Sequence, residues 1–207
     1  MHIVDGVLSA EVLSGGALLA LAGVGYGLKQ LELEKIPTAG VLSAAFFVAS
    51  LISVPVGPAS AHLIMNGLAG LVLGWAAFPA LFVGLLLQAV FFGFGGLTVL
   101  GVNTLNTALP AIAAYYLCRM GLRAIPGPKA AFCWGALGGG AAIALTTLAV
   151  ALSLALSGDE FLTAAKLILV AHIPIMLIEA CLCGAAVALI SRVKPELIVA
   201  PLRPMGA

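Results

Sequence analysis

Between residues 10 and 192 the chain is a succession of apolar stretches, 10–28, 37–56, 61–75, 78–97, 104–123, 129–157 and 160–192, divided by short connections. A helix that crosses a hydrocarbon layer needs about 20 apolar residues, fewer where protein shields it. Backbone that cannot reach water must satisfy its own N–H and C=O groups, which leaves helices or closed barrels. The expectation is an all-α membrane protein of about seven transmembrane helices, one integral membrane domain over 1–207. The third stretch is short, and the last is long enough to project beyond the bilayer or to bend at Pro174. A hydrophobic share of 63% and a charged share of 8% fit no ordinary soluble domain.

A net charge of +1 without a basic patch argues against nucleic acid as a partner. No Gly-x-x-x-x-Gly-Lys-Ser/Thr loop is present, so the chain is not expected to hydrolyse ATP, and no His-Glu-x-x-His marks a metalloprotease. Cys118, Cys133, Cys181 and Cys183 form no Cys-x-x-Cys pair and read as small apolar core residues.

Lys and Arg set the orientation. With seven spans and the N-terminus outside, Lys29, Lys35, Arg119, Arg123, Lys129, Arg192, Lys194 and Arg203 all fall on the cytoplasmic side with the C-terminus. The outer connections 57–60, 98–103 and 158–159 carry neither residue, and Lys166 near a helix end can snorkel. Three polar, glycine-containing segments then meet at the outer face: the N-terminus, Gly57-Pro58-Ala59-Ser60 with His62, and Gly101-Val102-Asn103-Thr104-Leu105-Asn106.

The N-terminus Met1-His2-Ile3-Val4-Asp5-Gly6-Val7-Leu8-Ser9 is a chelate in its own right. The Met1 amine, the His2 main-chain nitrogen once deprotonated and the His2 imidazole can occupy three corners of one metal. Ni(II) and Cu(II) favour such tetragonal nitrogen surroundings, and His62 is the candidate fourth donor, the alternative being a helix-end histidine bonded to a neighbouring carbonyl. The bulky His2 is expected to protect Met1 from removal, and no basic n-region or cleavage site marks a signal peptide. Asp5 is a candidate acceptor holding His2 or His62 from behind, or equally a solvated carboxylate. Ser60 is placed to cap the third helix and so to fix His62 in its first turn.

Asn66, Gln88, Asn103 and Asn106 lie in or beside apolar helices, where amides chiefly bond helix to helix rather than touch substrate; Asn103 could also cap the fifth span. Gly70 and Gly74, like Gly23 and Gly27, permit close helix approach. His172 and Glu179 share a face of the last stretch. Buried ionisable groups of this kind need a partner, either as a structural tie, the preferred reading, or as part of a proton or cation path.

With these residues in view, the chain resembles the CbiM/NikM family, the substrate-capture subunits of energy-coupling-factor transporters for nickel and cobalt. The resemblance is carried by Met1 to Ser9, by Gly57-Pro58-Ala59-Ser60-Ala61-His62-Leu63, by Gly101 to Asn106, and by Ala171-His172-Ile173-Pro174 followed by Glu179. It implies a seven-helix fold with the N-terminal segment threaded into the bundle. It also implies a four-nitrogen site made of the Met1 amine, both His2 nitrogens and the His62 imidazole, with Ni(II) or Co(II) as transported substrate and no organic cofactor. The implied partners are a transmembrane coupling subunit, two cytoplasmic ATPases and a small accessory membrane protein, separate here because the chain ends soon after its last span. A multi-pass place in the inner (plasma) membrane of a prokaryote follows. Val4 and Ala10 stand where many relatives have proline, which affects loop stiffness more than the ligands.

A planar site with a deprotonated amide favours nickel over cobalt, and His62-Leu63-Ile64-Met65-Asn66-Gly67 looks closer to the family's nickel branch. The expected function is therefore metal capture for an ATP-driven importer, and not an enzyme. The alternatives are a cobalt subunit supplying cobalamin synthesis, or a stand-alone channel or secondary carrier.

Overall fold

The computed structural model describes residues 2–51, 53–56, 59–125 and 127–198. Helices dominate: α1 (Ala10–Gln30), α2 (Ile36–Ala49), α3 (Asn66–Leu73), α4 (Ala77–Phe92), α5 (Leu100–Ala124), α6 (Pro128–Ala155), α7 (Leu162–Ala171) and α8 (Ile173–Val193). Between α2 and α3 lies an antiparallel pair, β1 (Ser53–Val56) and β2 (Ala59–His62), with Ser53 opposite His62.

Among the described residues four stretches are long and apolar enough to cross a membrane: α1, Asn66–Phe92 (α3 and α4 with the turn between them), α6 and α8. The outer surface carries Leu18, Leu21, Val41, Phe91, Leu148 and Leu189 exposed, which costs nothing where the solvent is lipid. Ser9 starts α1 by accepting from the Val12 N–H, satisfying one of the donors that a helix start leaves unpaired. Small residues Gly16, Ala20, Gly23 and Gly27 form the buried side of α1. Gly23 faces the Phe78 ring, and a Cβ on Gly27 would stand 2.5 Å from the Trp75 carbonyl oxygen, so α4 approaches α1 across a seam with no room for side chains. Gly70 lies against the Ala111 carbonyl in the same way, while Gly74 serves a left-handed turn, φ +57°, between α3 and α4.

Two expectations change, and for the last stretch the bend near Pro174 is the reading that holds. Residues 53–56 and 59–62 are not helical: strand pairing replaces the end of the second span and the start of the third. His62 consequently sits in β2 rather than in a helical first turn, and α3 begins at Asn66 with Met65 at its N-cap and no side-chain cap. The last stretch is two helices, breaking at His172 just ahead of Pro174, which occupies the first turn of α8. Proline lacks an N–H and fits a first turn far better than a helix interior. Of the cysteines, Cys118 and Cys183 are buried as expected, but Cys133 and Cys181 are exposed on the bundle exterior, where an uncharged thiol is tolerated by lipid.

Candidate metal centre

His62 closes β2, and its Nδ1–H donates to the Leu63 carbonyl oxygen at 2.7 Å. A carbonyl only accepts, so the ring proton is fixed on Nδ1 and Nε2 presents a lone pair. His2 is held from the other side: its Nε2–H donates to Gln88 Oε1 on α4. His62 Nε2 and His2 Nδ1 face each other at 3.1 Å, with the rings stacked at 4.6 Å between centroids and 27° between planes. Both residues are 2% exposed. Both lie in non-helical segments ahead of the spans that follow them. Burial outweighs the Gln88 bond and pushes the His2 imidazole down to about 4, and burial likewise takes His62 to about 4, so both rings are neutral at pH 7. Imidazole nitrogens bound at about 2.0–2.1 Å to one ion and set at right angles stand about 3 Å apart. The observed 3.1 Å gap is close to that distance.

The segment that carries His2 is held from α5 and the loop before it. The Ile3 N–H donates to Asn103 Oδ1 at 3.0 Å, and Asn103 Nδ2 donates back to the Ile3 carbonyl at 3.1 Å. The Asp5 N–H reaches the Gly95 carbonyl at 2.9 Å. Asp5 does not touch either histidine: its carboxylate accepts from Thr98 Oγ1 and the Val99 N–H, the nearest donors at the start of α5. Gly96 turns here at φ +117° with Asp5 filling the space of a Cβ, so only glycine fits. Nor does Asn103 cap α5, whose N-cap is Val99 without a side-chain bond; its amide is wholly engaged with Ile3.

The remaining predicted residues are spread around this pair. Met1 lies outside the described residues, and so does the side chain of Ser60. Asn66 Nδ2 donates to the Thr107 carbonyl at 2.8 Å and to Thr146 Oγ1 at 2.9 Å, tying α3 to α5 and α6. Asn106 Nδ2 donates to Ser153 Oγ at 3.1 Å, tying α5 to α6. Both are the helix-to-helix bonds expected of buried amides. His172 and Glu179 do not pair. His172 Nδ1–H donates to the Ile168 carbonyl at 2.8 Å, whereas Glu179 Oε1 accepts from the N–H groups of Ile64 and Met65.

Gln88 as the partner of His2 was not foreseen, although a sign was present: it is the one polar side chain in the apolar run 78–97. Among the described residues no group of three His, Cys, Asp or Glu side chains could hold a metal. An ion between the two imidazoles therefore needs further donors from the main chain or the terminus.

A family model described as the cobalt uptake substrate-specific transmembrane region, CbiM, matches residues 2–197. A Haemophilus influenzae protein named for metal transport is 43% identical over 206 residues, 96% of this chain and 97% of its own length. The fused nickel transport protein NikMN of Rhodobacter capsulatus is 38% identical over 123 residues, 55% of this chain and 35% of that one. A crystal structure of a transition metal transporter superposes with a TM-score of 0.77 at 26% identity, covering 95% of both chains. These relatives are transporters, not enzymes. The chain therefore belongs to the CbiM family of cobalt and nickel transport membrane proteins.

Proposed function

We propose that this member of the CbiM family is the substrate-capture subunit of an ATP-driven importer, holding Ni(II) in a plane of four nitrogens. The donors are the Met1 amine, the His2 main-chain nitrogen, His2 Nδ1 and His62 Nε2. The observation that carries this reading is the pair of imidazole nitrogens 3.1 Å apart, each ring bonded at its far nitrogen to an acceptor. Hydrogen bonds from the far ring nitrogen are how proteins orient metal-bound histidines. Five- and six-membered chelate rings through Met1 and His2 complete the square without further side chains.

In this reading the N-terminal segment enters a bundle of about seven spans from the outer side, the C-terminus is cytoplasmic, and the membrane is the inner (plasma) membrane of a prokaryote. The buried Ile3–Asn103 bonds and the Asp5–Gly95 bond support a docked terminus. A transmembrane coupling subunit, two ATPases and a small accessory membrane protein reorient the chain and drive release inward, aided by protonation of the amide and imidazole donors.

The test is the metal content and visible absorption spectrum of the purified chain with its native terminus, against a version with one extra residue before Met1. The native chain is expected to hold one nickel with a planar ligand-field band. Equal binding by the extended chain would remove the terminal amine from the site. Cobalt is the second reading, favoured by the description of the matching family; competition between Ni(II) and Co(II) for the native chain decides it.

A further inference from the structure

The chain leaves β2 at His62 and must enter α3 at Asn66 within three residues. Met65 makes that turn at φ +54°, the one non-glycine residue with positive φ among those described. A residue with a side chain stays there only when its surroundings hold it. The holder is Glu179, 2% exposed on α8, whose Oε1 accepts from the N–H groups of both Ile64 and Met65. A buried carboxyl group inside an apolar bundle is costly to keep.

The bonds form a chain. The Ile64 N–H that donates to Glu179 belongs to the same peptide unit as the Leu63 carbonyl that accepts from His62 Nδ1–H. The rigid, planar peptide is thus gripped at one end by the carboxyl group and at the other by the imidazole. Fixing the N–H fixes the direction of the carbonyl, and the carbonyl sets the tautomer and tilt of His62. A chain of polarised bonds also makes that carbonyl a better acceptor, as carboxylates do when they back a metal-bound histidine directly.

We propose that Glu179 is a positioning residue for metal capture, orienting His62 Nε2 toward His2 through the Leu63–Ile64 peptide unit. This rests on the four-nitrogen site proposed above. Reach rather than charge is what the role requires: a glutamine Oε1 can accept the same two N–H groups, an aspartate is one methylene short, and an alanine offers nothing.

The experiment compares the full-length chain with its Glu179→Gln, Glu179→Asp, Glu179→Ala and His62→Ala variants, each loaded with Ni(II). It reads the ligand-field band and the rate of nickel loss to excess EDTA. Glu179→Ala is expected to lose nickel about 10–100-fold faster, with its band moved toward that of His62→Ala. Glu179→Gln is expected to stay near the wild type, with Glu179→Asp between. A wild-type band and rate in Glu179→Ala, alongside a changed His62→Ala, overturns the role of Glu179 and leaves the metal site standing. A His62→Ala protein like the wild type overturns the metal site itself, and this role with it. Should Glu179→Ala not fold, the order of the other two decides: aspartate nearer the wild type than glutamine means charge, not reach, and also overturns the proposal.

Discussion

His62 Nε2 stands 3.1 Å from His2 Nδ1, and each ring is held at its far nitrogen by an acceptor. Either a proton or a cation can bridge two imidazole nitrogens at that distance. Burial has pushed both rings to about 4, which weakens the proton as a competitor at neutral pH and leaves a metal ion as the better occupant. The arrangement depends on the acceptors behind the rings, which orient both toward the gap.

Gln88 is one of those acceptors, so its removal should be felt at the metal although it lies outside the four donors. Gln88→Leu is expected to weaken nickel binding about 10–100-fold, the usual effect of losing the hydrogen bond behind a liganding histidine. Isothermal titration with Ni(II) checks this. Unchanged affinity would mean that His2 needs no orientation from α4.

Asn103 anchors the main chain on which His2 sits, through one donated and one accepted bond with Ile3. With about 0.5–1.5 kcal/mol net for each, Asn103→Ala should weaken docking of the N-terminal segment by about 1–3 kcal/mol. Faster hydrogen exchange at the Ile3 amide of the metal-free protein measures it. Asn103→Asp keeps the acceptor and loses the donor, and should fare no better than alanine. An Ile3 amide as protected in both variants as in the wild type would place the anchor elsewhere.

How much of this was legible in the sequence follows from what sets each feature. The helical stretches were legible because hydropathy alone decides membrane residence, and the interhelical roles of Asn66 and Asn106 because an amide in an apolar helix has few other uses. The strand pair at 53–62 was not, since a short apolar run reads equally as helix or strand. His2 and His62 stood out by chelate chemistry, yet Asp5 and Asn103 were given the wrong partners. Which donor a carboxylate or amide finds depends on a fold-back of about 100 residues along the chain, and spacing does not encode it. Glu179 was read as a tie within the bundle, but its partners, two successive main-chain N–H groups, carry no side-chain signal at all.

Asn66 joins three helices, and its coupling to Thr146 can be isolated. Asn66→Ala, Thr146→Val and the double variant form a cycle whose interaction term should be about 0.6 kcal/mol, the average for side-chain bonds between membrane helices. Unfolding in mild detergent by a graded denaturant reads it. A term of zero would mean that the 2.9 Å contact adds nothing beyond the bond to the Thr107 carbonyl.

Gly70 and Gly15 separate close approach from helix propensity. A Cβ on Gly70 would collide with the Ala111 backbone, including its carbonyl oxygen, whereas one on Gly15 would meet nothing within 4 Å. Alanine raises intrinsic helix stability at both positions by roughly 0.8–1.0 kcal/mol. At Gly70 the two helices would have to part, and overpacking of this kind costs about 1–3 kcal/mol while also shifting the α3 start that follows the His62 loop. Gly70→Ala should therefore lower the thermal midpoint and weaken nickel retention together, and Gly15→Ala should leave retention unchanged with a midpoint equal or higher. Equal midpoints for the two variants would show that α3 can slide on α5 without loss, and would detach the packing of that seam from the geometry of the metal centre.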